Sequence, residues 1–91
     1  MKTEKEAVGE YILFLQGKGF PFKEDAIGFI YFGMELADAG AEAVIAAIEI
    51  TLKIQKRFDG SFYLSLIERF KEQQITTKKE AYHYVKKLRL L

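Results

Sequence analysis

The stretch over residues 41–57, AEAVIAAIEITLKIQKR, constrains this chain more than any other. Its apolar residues recur with helical rather than alternating spacing. Its polar residues Glu42, Glu49, Lys53 and Lys56 fall on one narrow stripe, with Glu49 and Lys53 in the favourable i,i+4 order. A helix that is apolar around most of its circumference has to be surrounded by other elements. The sequence therefore predicts an all-α fold: a compact bundle of about five short helices packed around a central apolar helix over 41–57.

The rest of the chain supplies those neighbours. Thr3 and Glu6 form a capping box that starts a first helix, whose stripe is Val8, Ile12 and Leu15, widened by Tyr11 and Phe14. Gly17 and Gly19 end it, since glycine enters the left-handed region freely. Pro21 opens a second helix over about 22–37. Ile27, Ile30, Tyr31 and Met34 share one face of that helix, and Phe29, Phe32 and Leu36 share the opposite one. Gly28 and Gly33 weaken it and invite close approach. After the central helix, Asp59-Gly60 reads as a turn and Ser61 as the cap of a fourth helix, Phe62 to about Gln73. A capping box at Thr77 and Glu80 starts a fifth, running to about Arg89 with Ala81, Tyr84, Val85 and Leu88 inward.

Size and composition narrow the function classes. Ninety-one residues make one domain, 1–91, and 49% hydrophobic content suits a globular core. With no cysteine, disulfides and thiolate metal sites are excluded, and a reducing compartment is compatible. The opening KTEKEAVGE is not a signal peptide, and no apolar run approaches the roughly 20 residues of a membrane span. The expectation is a cytoplasmic protein with no membrane partner. The net charge of +1 hides an asymmetry: four lysines against nine acids over 1–50, and six bases against two acids over 71–91. Either the two ends neutralise each other or the basic end meets an anionic partner.

Several short motifs, in order, carry a resemblance over residues 20–85. They are Pro21-Phe22-Lys23-Glu24, Gly40, Ala47-Ile48, Phe62-x-x-x-Leu66-x-x-x-Phe70 and Lys71-Glu72-Gln73-Gln74-Ile75-Thr76-Thr77. Together they resemble the C-terminal domain of the DnaD family of bacterial replication-initiation proteins, or a Bacillus-type offshoot of it. Where that family has Tyr, Trp and a glycine before the isoleucine, this chain has Phe62, Phe70 and Gln74. The resemblance implies a non-enzymatic module associated with single-stranded DNA or with a replication protein.

The candidate sites follow. Phe62, Leu66 and Phe70 either stack unpaired bases or belong to the core. Lys71, Lys78, Lys79, Lys86, Lys87 and Arg89 either contact phosphates or form a solvated face, with Lys79, His83 and Lys86 along one stripe. Phe29, Phe32 and Leu36 form either a partner or homodimer interface, or a face covered by the first helix or the Phe20–Phe22 segment. A protein-interaction or homo-oligomerising module is thus the alternative function. No catalytic set is legible: His83 stands alone, Ser61 and Ser65 lack a histidine–acid context, Glu68 and Glu72 lie on an exposed face, and Gly17-Lys18-Gly19 is too short for a phosphate loop. No enzyme activity, cofactor, metal or small-molecule substrate is expected.

Overall fold

The computed structural model describes residues 2–91. It contains five helices, α1 (Glu4–Gly17), α2 (Glu24–Leu36), α3 (Ala41–Gln55), α4 (Gly60–Glu72) and α5 (Lys78–Lys87), and no strand among the described residues. The all-α bundle predicted from the sequence is the architecture observed.

The helices begin and end for identifiable local reasons. Both predicted capping boxes form: Thr3 accepts from the Glu6 amide at 3.0 Å, and Thr77 accepts from the Glu80 amide at 3.1 Å. α4 starts earlier than the sequence suggested. Asp59, not Ser61, is its cap, and its carboxylate accepts from the Phe62 amide at 3.0 Å. α2 starts later than expected, at Glu24, because Phe22 is spent as a buried residue against Phe58, ring centroids 5.7 Å apart, and Lys23 is the extended cap.

Four helices end in the same paired-bond turn. The residue past the cap takes positive φ, and the next amide reaches back to the last full turn. Gly19, Asp38, Gln74 and Arg89 hold φ of 93°, 48°, 56° and 61°. The amides of Phe20, Ala39, Ile75 and Leu90 then donate to the carbonyls of Leu15, Met34, Phe70 and Val85. Each bond joins an apolar residue beyond the turn to an apolar residue of the helix. α3 stops at Gln55 rather than Arg57, where Lys56 turns left-handed at φ 64°.

α3 is the hub and packs against all four other helices. Val44, Ala46, Ala47, Ile48 and Ile50 are fully buried, and the buried Thr51 satisfies its hydroxyl by donating to the Ala47 carbonyl at 2.7 Å. Small Ala residues on α3 let neighbouring helices close in on it. Residue pairings fix the directions. Glu4 caps the Ala41 amide and Tyr11 reaches Glu49, so α1 runs parallel to α3. Lys78 bonds Glu42 and Tyr82 bonds Glu49, so α5 does too. Phe29 lies beside Gly60 and Gly33 beside Tyr63, so α2 runs parallel to α4. Lys5 pairs with Glu35 and Gly9 lies beside the Tyr31 hydroxyl, so α1 runs against α2, and helix direction alternates along the chain.

Candidate interaction surfaces

α2 is held by its inner face and flank, which decides what it presents outward. Ile30 and Met34 are buried. The Tyr63 hydroxyl of α4, itself fully buried, donates to the Ile30 carbonyl at 2.7 Å. The absence of a side chain at Gly33 lets the Tyr63 ring approach: a Cβ there would sit 2.7 Å from Tyr63 Cε2 and 2.9 Å from Leu64 Cδ2. On the other flank, Tyr31 donates to the Lys5 carbonyl of α1 at 3.3 Å.

These contacts leave Phe29, Phe32 and Leu36 outward, 42%, 56% and 50% exposed. Neither cover considered from the sequence closes them. α1 meets α2 at Tyr31, Phe22 turns into the core, and Phe20 is itself exposed. Gly60 of α4 lies beside the Phe29 ring. The rim is acidic. Residues 24–38 carry Glu24, Asp25, Glu35 and Asp38 and no lysine or arginine. Of these, Glu35 is paired with Lys5 of α1.

The aromatic stripe of α4 lies elsewhere. Leu66 and Phe70 are buried, together with Tyr63 and Ile67, and Phe70 meets Tyr84 of α5 edge-on at 6.2 Å. Phe62 is half-buried at the edge of the same packing. An outward stacking platform for bases is therefore not what these residues form; they are the α4 contribution to the core.

The basic residues divide. Lys78 is committed: its ammonium lies 3.2 Å from Glu49, and its amide donates to Glu42 at 2.9 Å. Lys71, Lys79, Lys86, Lys87 and Arg89 are exposed and form no ion pair among the described residues. Lys79, His83 and Lys87 share a shallow groove of about 480 Å³ with Ile75 and Tyr84. Leu88, expected inward, is 42% exposed because α5 ends at Lys87.

One cluster escaped the sequence reading. Glu49 gathers the Tyr11 hydroxyl (3.3 Å), the Tyr82 hydroxyl, Lys78 and, at 3.8 Å, Lys53. Lys53 also lies over the Tyr82 ring, 4.8 Å from its centroid. Burial disfavours the Glu49 charge, but the bonds from Tyr82 and Lys78 and the charges of Lys78 and Lys53 outweigh it, holding the carboxyl below its ordinary range. Burial first, then Glu49, pushes Tyr11 up to about 12 and Tyr82 further up. The cluster ties α1, α3 and α5 together. Its only sequence signal was the i,i+4 pair of Glu49 and Lys53 on the polar stripe of α3. No group of three or more His, Cys, Asp or Glu side chains converges on a metal position among the described residues.

No curated protein and no solved structure matches the chain. The resemblance to the DnaD family does not hold, because the matching family model describes a different family across the whole described chain. Its strongest motif has a local cause. Lys71 to Thr77 is a helix end with Gln74 left-handed and Ile75 bonded back to Phe70, followed at once by a capping box. Any two helices joined this tightly call for similar residues. The chain belongs to a family of unknown function, DUF6123, whose model it matches over residues 2–91.

Proposed function

We propose that this domain is a non-enzymatic protein-interaction module that docks its partner on the outer face of α2. The carrying observation is the stripe of Phe29, Phe32 and Leu36, which the fold leaves half-exposed on a rigid helix. Two phenylalanines and a leucine on one stripe are poor surface residues and good anchors for a partner's apolar side chains. Fixing them on a helix locked by Tyr63 and Tyr31 lowers the ordering entropy lost on binding. A cytoplasmic setting belongs to the same reading, and the absence of cysteine suits a reducing compartment. No helix among the described residues is long and apolar enough to cross a membrane.

A photo-crosslinking residue placed at Phe32 in cells tests the proposal. A discrete cross-linked protein adduct is expected from position 32 and none from a control at Lys56. Absence of any adduct from position 32 would refute the docking face.

A second reading rests on the cations of α5. Lys79, Lys86 and Lys87 are exposed and unpaired among the described residues, which favours loose phosphate contacts with single-stranded nucleic acid. With Leu66 and Phe70 in the core, such binding lacks base stacking from α4 and is steeply salt-dependent. Fluorescence anisotropy at low salt, with Lys86→Glu and Lys87→Glu as the control, decides it: unchanged binding in the double variant removes this reading.

A further inference from the structure

We propose that the occupant of the α2 face is a second copy of this chain, docking with its segment Lys86–Leu91 rather than with its own α2. The inference rests on the interaction reading above.

The segment has the complementary chemistry. Its sequence KKLRLL interleaves three cations with three leucines. Leu88, Leu90 and Leu91 are 42%, 43% and 47% exposed. The backbone there is held in place: the Arg89 amide donates to the Lys86 carbonyl at 2.9 Å and the Leu90 amide to the Val85 carbonyl at 3.0 Å. The leucines are thus presented on a formed turn. Opposite them, the α2 face offers an apolar stripe flanked by carboxylates and no cation of its own helix.

Charge decides between the two ways a second copy could dock. In a two-fold α2-to-α2 contact, the acids at the start of one helix, Glu24 and Asp25, meet acids of the other copy, and like charges across an interface disfavour a pairing. Docking Lys86–Leu91 places cations against carboxylates and leucine against phenylalanine. The same molecule cannot satisfy itself, since α5 packs on α3 while α2 packs chiefly on α4.

The two surfaces differ, so the contact is heterologous: a bound pair retains one free surface of each kind, one on each copy. Such a contact generates chains or a closed ring rather than a bare dimer. The pair is held partly by exposed charges and weakens as salt screens them.

Sedimentation velocity of the purified wild-type chain over a concentration series, at low and high salt, tests this. The expected result is species larger than a dimer whose fraction falls with salt. Lys86→Glu, Lys87→Glu and Arg89→Glu together are expected to abolish association. So are Glu24→Lys with Asp25→Lys. Mixing the two reversed chains is expected to restore pairing, and unchanged thermal melts would confirm that both variants fold. A single dimer that survives tail reversal but not Phe32→Asp would overturn the head-to-tail contact while leaving the α2 docking face intact. A monomer at every concentration, alongside cross-links from position 32 to another protein, would also overturn it and keep the docking face. A monomer without cross-links would overturn both.

Discussion

Gly28 and Gly33 provide a matched pair within one helix. Replacing either by alanine gains the same intrinsic helix propensity, about 1 kcal/mol. Their surroundings differ. A Cβ at Gly28 meets nothing within 4 Å. At Gly33 it would lie 2.7 Å from Tyr63 Cε2, well inside contact distance. That ring cannot swing away, because Tyr63 is fully buried, bonded to the Ile30 carbonyl and packed 5.5 Å from the Phe58 ring. Overpacking of this kind costs about 1–3 kcal/mol. Propensity cancels in the comparison, so the two substitutions should differ by that overpacking cost alone. Gly28→Ala should raise stability by up to about 1 kcal/mol, and Gly33→Ala should lie about 1–3 kcal/mol below it. For a domain of this size each kcal/mol moves Tm by roughly 4–8 °C. Thermal melts by circular dichroism, backed by urea titration, read the difference directly. Equal shifts for the two variants would refute the close α2–α4 seam at Gly33 and with it the orientation that turns Phe32 outward.

Three further outcomes follow from the same packing. Gln74→Gly should stabilise the domain by about 1 kcal/mol, since a non-glycine residue pays for the left-handed φ of 56° that ends α4; a melt showing destabilisation would contradict that backbone. Glu49→Gln should cost about 2 kcal/mol near neutral pH by weakening charged hydrogen bonds. Because the folded Glu49 carboxyl titrates below its ordinary 4.5, its contribution is present above that value and lost as pH falls through the folded one, so the variant should lose less stability on acidification than the wild type. At the alkaline end, Tyr11 is pushed up from 10.0 to about 12, and Tyr63 and Tyr82 are pushed up by burial first. Their neutral forms stabilise the fold below pH 10, and that stability is lost as pH rises; in a chain carrying Tyr31→Phe and Tyr84→Phe, where only these three phenols absorb, tyrosinate absorbance should appear together with unfolding rather than before it.

Periodicity made α3 legible, because a helix with one narrow polar stripe can only sit inside a bundle, and it does. The capping boxes at Thr3 and Thr77 were equally legible, since their bonds span three residues of sequence. Periodicity also grouped Phe29, Phe32 and Leu36 on one face, but which neighbour covers a face depends on distant contacts. The opposite fates of two apolar stripes show this: that of α2 is left outside, while Leu66 and Phe70 of α4 go into the core. The Asp59 cap was masked by reading Asp-Gly as a turn alone. The Glu49 cluster was invisible because Tyr11 and Tyr82 reach it from about three dozen residues away in sequence. The DnaD resemblance mistook the local requirements of a tight helix junction for a family signature.

The most direct test of the docking account is a concentration series of amide NMR spectra on the isotopically labelled wild-type chain. Amides of α2 around Phe29–Leu36 and of the Lys86–Leu91 segment should shift together as concentration rises, while those of α3 stay fixed. Spectra that do not change with concentration, or changes confined to the exposed apolar residues Leu13, Phe14 and Phe20 at and beyond the end of α1, would contradict it.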